Sequence, residues 1–314
     1  MNYANARRKY IMKKLTLIFC ALLLLFTSLM AGCRPKQEFA ADEDKLKVVV
    51  SFNAIKEFVQ AVGKDKVAII TLIPDGTEPH DFQPTTRDMQ ALHKADLFIY
   101  NGAGMENWVG TATKAASNKN LQVLEASKGV DLIALDDPAE IKEHGTYDPH
   151  TWLSLVNAQI EVQNIADALA AADKQNANFY QQNAAAYKQE LQKLLTKYQA
   201  KMHNLPAKNF VTGHAAFAYL CRDLGLEQSS VEDVFASGEP SAKSLSELAD
   251  FCKENNVKTI FVEEAVSPKT SQTLAREVGA TTQPIHTLES SEGTLTYLDR
   301  MEENLDAIYQ GLKE

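Results

Sequence analysis

No glycine and no proline occurs between Pro149 and Pro206. Glycine breaks helices by its backbone freedom and proline by its missing N–H, so a stretch of that length without either predicts helix. From Asp173 to His203, the residues Tyr180, Ala184, Tyr187, Leu191, Leu194, Tyr198 and Met202 recur at spacings of three and four, which is one face of a helix. Gln, Lys and Asn fill the other face. A helix of about 30 residues spans about 45 Å, longer than a small domain is wide. With alternating strand and helix on either side, it reads as a rigid strut joining two lobes. The stripe runs for about three heptads and nothing else in the chain pairs with it, so a coiled coil is the weaker reading.

Before the strut, Leu46–Phe52, Lys66–Ile73, Asp96–Asn101 and Leu121–Glu125 read as strands, with helices over Ala54–Val62 and Thr85–Ala95. Thr85 or Thr86 can cap the second helix. Pro74-Asp75-Gly76 closes the second strand as a turn. A long loop covers Ala126–Asp148. Pro149 then opens a helix whose buried stripe is Leu155, Ala158, Val162, Ile165 and Leu169. After the strut, Asn209–Thr212, Ser229–Val234, Thr259–Glu263 and Thr282–Leu288 are expected strands. Helices are expected over Ala215–Leu224, Ser241–Glu254, Ser271–Val278 and Leu295–Leu312, the last packed back on the core. Apolar strands alternating with helices imply an α/β fold with parallel sheets covered on both faces. The expected boundaries are 46–172 for the first lobe, 173–205 for the linking helix and 206–314 for the second lobe.

The N-terminus reads as a targeting segment over residues 1–32. Five basic residues precede the apolar run Leu15–Ala31, which is too short for a comfortable membrane span. Met12-Lys13-Lys14 would itself make a signal start. The run ends Leu29-Met30-Ala31-Gly32-Cys33, which resembles a bacterial lipobox with Met30 where Leu is commoner. The expectation is cleavage before Cys33, lipid on its new N-terminus, and a polar tether through Lys45. An ordinary secretory signal or membrane anchor is the alternative. Cys221 and Cys252 would remain outside the cytoplasm, as a disulfide or as two small buried residues. Removing the first 32 residues takes the formal charge from −9 to −14. So acidic a chain repels phosphate backbones, which excludes nucleic acid and favours cations as partners.

His80, His150, His214 and Glu289 lie just past expected strands or on loops, two in each lobe. Open α/β sheets bind ligands beyond the carboxyl ends of their strands, so a cleft between lobes would gather all four. Three imidazoles and a carboxylate complete a four-coordinate shell that suits zinc. Against this, a lone His after a strand is ordinarily a surface or capping residue, and none of these forms a compact metal motif. The prolines before His80 and His150 stiffen the backbone and lower the entropy lost on binding. His93 and His203 read as surface and helix-end residues. His286 is a possible reserve ligand, and Glu78, Glu263 and Glu264 could orient imidazoles or make exposed ion pairs.

The segments Glu78-Pro79-His80, Asp148-Pro149-His150-Thr151-Trp152-Leu153-Ser154, Val211-Thr212-Gly213-His214-Ala215-Ala216-Phe217, Glu239-Pro240-Ser241 and Phe261-Val262-Glu263-Glu264 carry a resemblance. From Leu46 to the C-terminus the chain is similar to the metal-binding lipoproteins of bacterial zinc and manganese ABC importers. The resemblance implies two (β/α)4 lobes joined by one long backbone helix, with the metal site in the inter-lobe cleft. It implies ligands at His80, His150 and His214, and a carboxylate at Glu289, where many relatives carry Asp. Phe82 and Gln83 depart from the Tyr and Glu common in relatives. The loop before His150, His-rich in many zinc-type relatives, holds only His144. Manganese-type relatives tend to place Glu at position 214, so three imidazoles favour zinc over manganese.

The implied function is capture of zinc outside the cytoplasm, by a monomer lipid-anchored to the membrane through Cys33, and delivery to an ABC permease. Small motion of the lobes is expected from so stiff a strut. A secreted zinc hydrolase is a rival, but the chain has no HExxH, no GxSxG elbow and no phosphate-binding Gly loop. A surface adhesin is a second rival, with no adhesive patch marked in the sequence.

Overall fold

The computed structural model describes residues 39, 44–136, 138, 141–142, 145–235, 241–263, 268–291 and 293–313. The signal segment, Cys33, most of the tether, His144, Glu239, Pro240 and Glu264 lie outside the described residues.

The first half of the chain alternates β1 (Leu46–Val50), α1 (Asn53–Gly63), β2 (Val67–Thr71), α2 (Thr86–Lys94), β3 (Leu97–Tyr100), α3 (Val109–Ala116) and β4 (Gln122–Glu125). Its four strands form one parallel sheet in the order β2-β1-β3-β4. Thr85 caps α2 in a reciprocal box with Asp88, as the sequence suggests. Helix α3 was not expected. Its buried residues are Ala112 and Ala116, and it carries Gly110 in its first turn, so it shows no stripe of large apolar residues.

The second half repeats the plan with β5 (Asn209–His214), α6 (Ala218–Leu224), β6 (Glu227–Glu232), α7 (Ala242–Glu254), β7 (Thr259–Glu263), α8 (Pro268–Val278) and β8 (Thr281–Ile285). Its sheet is parallel, in the order β6-β5-β7-β8. The final helix is α9 (Tyr297–Leu312). The last strand ends at Ile285, three residues short of the expected Leu288. The chain leaves the sheet at His286, whose N–H and carbonyl are both taken by the Asn304 side chain of α9.

Between the halves lie α4 (Leu155–Ala172) and α5 (Ala177–Met202). Pro149 does not open α4. A single 3-10 turn covers Thr151–Leu153, and the helix starts after Ser154, whose hydroxyl accepts from Asn157 N. The strut is likewise shorter than expected. Asp173 caps a 3-10 turn over Lys174–Asn176 and takes the Tyr180 hydroxyl at 2.7 Å, so α5 begins at Ala177. Nor does α5 stand alone, as the sequence suggested. Gln163 on α4 donates to Gln181 and accepts from Lys188, while Gln159 reaches Gln192, so the two helices run antiparallel as a hairpin. The pairing escaped notice because the seam between the polar faces is amide-to-amide rather than apolar.

The stripes behave as periodicity dictates. Leu155, Ala158, Val162, Ile165 and Leu169 of α4 are buried, as are Tyr180, Ala184, Leu191, Leu194, Tyr198 and Met202 of α5. One hydrophobic cluster joins β1 and β3, α1, α4, α5 and α9 to Phe210, Phe261 and Ile285 of the second sheet. A separate small cluster, including Val211, Ile260, Leu274 and Ala275, backs the second sheet from the other side. Helix α9 packs on β5 and β8 of the second sheet and on α5, and at its start the Tyr297 ring packs on Phe58 of α1 and its hydroxyl donates to Trp152 O at 2.6 Å. Lys197 and Lys201 of α5 pair with Glu302 and Asp306 of α9. Cys221 and Cys252 are free thiols buried in different clusters, which settles them as small core residues rather than a disulfide.

Candidate metal centre

In both sheets the C-terminal strand ends face one place. His80 stands on the loop after β2, His150 on the long connection after β4, and His214 is the last residue of β5. Glu289 lies on the turn after β8, four residues beyond the strand. One nitrogen from each imidazole and one carboxylate oxygen all lie within 4.8 Å of one another. His150 is central: its Nε2 is 3.2 Å from His80 Nε2 and 3.5 Å from His214 Nε2. Around a tetrahedral zinc with Zn–N near 2.05 Å, ligand nitrogens stand about 3.3 Å apart, so the two measured separations bracket that spacing. Four residues drawn from positions 80 to 289 therefore converge as the sequence reading required.

The imidazoles are oriented from behind. Asp148 Oδ1 accepts from both the backbone N–H and Nδ1 of His150, each at 2.9 Å. With its proton held on Nδ1, His150 turns the Nε2 lone pair to the centre. Pro149 between them fixes the two-residue spacing that lets one carboxylate reach both groups. The Tyr219 hydroxyl donates to Asp148 O at 2.6 Å and anchors this segment to α6.

His214 is held by sheet partners. Glu263 Oε1, at the end of β7, accepts the His214 N–H at 3.2 Å and stands 3.7 Å from Nδ1. Gly213 makes this approach possible, since a Cβ there would stand 2.1 Å from Glu263 Oε2. Thr212 Oγ1 and Gln228 Nε2 both donate to the His214 carbonyl.

The centre is dry. The His80 and His214 side chains are each 3% exposed, and His150 is fully buried. The Phe235 ring stands edge-on to His80 at 5.2 Å, and Trp152 lies 5.3 Å from His150. Burial, and then the neighbouring His150, hold the His214 imidazole well below the usual histidine range. It is thus kept neutral, the form a metal requires. At the rim, burial pushes the Glu78 carboxyl up, while the His80 N–H draws it back.

Residues 48–311 match the family described as ZnuA: Zinc-uptake complex component A periplasmic. The chain belongs to the ZnuA family. It is 39% identical over 285 residues to the high-affinity zinc uptake system protein ZnuA of Bacillus subtilis, covering 86% of this chain and 88% of that protein. Among solved structures it is similar to the laminin binding protein Lmb of Streptococcus agalactiae, described as bifunctional with adhesin and metal transporting activity. That match has a TM-score of 0.79 and 34% identity over 86% of this chain and 100% of the other. A Zn(II)-bound mutant variant of AdcAII of Streptococcus pneumoniae gives a TM-score of 0.79 and 34% identity over 86% and 99%. As a ZnuA-family member the chain is the zinc-binding component of an ABC uptake system. It acts outside the cytoplasm and is not an enzyme.

Within this ZnuA-type centre, several contributors escaped the sequence reading. Phe235 follows β6 at a place with no periodic signal. Asp148 was visible as a motif residue, but its role as an orienting base was not; an acid two residues before a Pro-flanked His is the signal that could have shown it. His286 does not join the four. Its Nε2 lies 3.4 Å from Glu303 of α9 instead. His93 is also accounted for locally, with Nδ1 2.8 Å from Ala116 O.

Proposed function

We propose that His80, His150, His214 and Glu289 are the ligands of a zinc ion carried as cargo, and that the protein hands this ion to the membrane permease of its own uptake system. The single observation that carries the assignment is the spacing of the three Nε2 atoms around His150, at 3.2 and 3.5 Å. Three neutral imidazoles with one carboxylate are a softer shell than manganese prefers, so zinc is the favoured ion. A catalytic zinc keeps one position open for water. Here Glu289 takes the fourth place, which suits retention of an ion rather than hydrolysis.

The rest of the reading follows the chain from its start: residues 1–32 as signal, Cys33 lipidated, a tether to Lys45, then lobes over 46–172 and 206–314 with the linking helix at 173–205. A lipid on Cys33 keeps a monomeric carrier at the outer face of the cell membrane, within reach of the permease. Elemental analysis of the purified protein with zinc titration is the direct test. One zinc per chain is expected, with manganese failing to displace it. Wild-type protein that takes up no zinc, or that prefers manganese, overturns the assignment. Mass spectrometry of the mature N-terminus tests the anchor, and an unmodified Cys33 would remove it.

A further inference from the structure

The turn that carries Glu289 belongs to the second half of the chain by sequence, yet most of the hydrogen bonds that reach it from outside come from the first. Trp152 Nε1 donates to Thr287 O at 2.8 Å. The Asn53 side chain donates to Leu288 O at 3.4 Å, and the Asn53 backbone N–H, opening α1, donates to Glu289 O at 3.2 Å. Gly76 N donates to Ser290 Oγ at 2.8 Å. Asp75 accepts from both Ser291 N at 2.7 Å and Ser291 Oγ at 2.5 Å. Arg300 Nη1 holds Ser290 O at 2.6 Å from the α9 side. Within the turn, Thr287 Oγ1 donates to Glu289 Oε2 at 2.9 Å and aims the carboxylate.

The backbone records the effort. Leu288 sits at φ +64, a left-handed conformation that residues carrying a Cβ rarely adopt, and its own side chain is buried in the main core. Such a conformation persists where the surroundings over-determine it, and here they do. His214 is held quite differently, by Glu263, Thr212 and Gln228 of the second sheet.

We propose that Asn53, Asp75 and Trp152 are positioning residues for Glu289: they fasten the 287–291 turn to the first half of the molecule, so that the fourth ligand moves with His80 and His150 and not with His214. Three ligands then form one pre-assembled face, and His214 alone closes on the ion from the second sheet. The inference rests on the zinc-site reading above.

Asp75 is exposed and its removal leaves the core intact, which makes it the residue to test. Zinc affinity is measured by competition with a chromophoric chelator for wild type, Asp75→Ala, Glu289→Ala and the double variant. If Asp75 acts through Glu289, Asp75→Ala weakens zinc about three- to tenfold in the wild-type background, the scale of one or two lost hydrogen bonds. In the Glu289→Ala background it changes affinity by less than about twofold, because coupled residues are not additive. Ser291→Ala, which deletes one of the same bonds, gives the same pattern at smaller size. In Asp75→Ala the Co2+ absorption spectrum shifts towards that of Glu289→Ala. An equal loss in both backgrounds, or no loss in the first, overturns the inference while leaving the zinc site in place. Wild-type protein that binds no zinc overturns the site reading and this inference together.

Discussion

His150 and His214 are both buried, and both point Nε2 at the same place, but they are held by different means. In the first half, Asp148 bonds the Nδ1 of His150 at 2.9 Å, and Tyr219 reaches over from α6 of the second half to pin the Asp148 backbone. In the second half, Glu263 takes the backbone N–H of His214 and stands 3.7 Å from its ring nitrogen, beyond a hydrogen bond. The packing of the two sheets is alike: the inner strands β1, β3, β5 and β7 are mostly buried and the edge strands β2, β4, β6 and β8 are part-exposed, although the second sheet has a small cluster of its own at its back. Asp148 fixes the His150 ring by a hydrogen bond, whereas the His214 ring has no equivalent bond to Glu263. Orienting a ligand before capture lowers the entropy cost of binding.

The comparison can be broken most directly at the ligands. His150→Ala removes the nitrogen adjacent to both others and is expected to cost at least a hundredfold in zinc affinity. His214→Ala leaves the pre-assembled face and costs less, though more than tenfold, since even outer partners of a metal site are worth about 10- to 100-fold. Isothermal titration of both variants with zinc decides this, and the reverse order would show that the first half is not the stronger binding face.

The next largest effect concerns the orienting carboxylates. Asp148→Ala is expected to weaken zinc by about 10- to 100-fold, and Glu263→Gln by less, because only the former loses a formed ring hydrogen bond. Equal losses on chelator competition would mean that Glu263 swings onto Nδ1 when metal enters, and the contrast between the halves would vanish in the loaded protein.

Acidity should separate the halves as well. The folded protein keeps His214 neutral where the unfolded chain would protonate it. Below about pH 6.5 the unfolded state therefore binds more protons, and metal-free stability falls as pH drops. Two buried carboxyls, Glu106 in the first half and Glu161 on α4, act oppositely. Burial raises each carboxyl to about 7. The folded state then holds more protons than the unfolded one between about pH 4.5 and 7, and stability falls as pH rises through that window. Urea midpoints from pH 5 to 8 should show Glu161→Gln losing less stability than wild type, by on the order of 3 kcal/mol at most. An identical slope would show that this carboxyl is ionised in the folded state. Zinc affinity should meanwhile decline from pH 8 to pH 5, because imidazoles must shed protons to bind.

The smallest effect is expected at Gly213. An added methyl would stand 2.1 Å from Glu263 Oε2, and the carboxylate is the far end of a flexible side chain that can swing away. Gly213→Ala should therefore fold, lose the bond to the His214 N–H, and weaken zinc about two- to fivefold. Unchanged affinity would remove Glu263 from any part in placing His214.

Much of this was legible along the chain. Leu155 to Leu169 and Tyr180 to Met202 were placed by their spacing and the strands of the first sheet by apolar runs, whereas the polar β6 lies two residues before its expected Ser229–Val234. The four ligands were visible as residues past strand ends, although only the resemblance separated them from ordinary surface histidines. What failed has a common cause. The α4–α5 hairpin is joined by Gln-to-Gln and Gln-to-Lys bonds, which leave no hydrophobic signature. Helix α3 buries only alanines. The early end of β8 depends on Asn304, eighteen residues away.

The sequence by itself determined the local elements and the chemistry of the donors, because helix and strand periods, caps and side-chain types act over a few residues. Only the tertiary structure decided which half owns Glu289, why Cys221 and Cys252 stay apart, and how firmly each imidazole is aimed. Those outcomes rest on bonds such as Asp75 to Ser291 and Trp152 to Thr287, which join residues more than a hundred positions apart. A single polar contact across that distance leaves no period in the chain, and it exists only once packing has closed the loop between its partners.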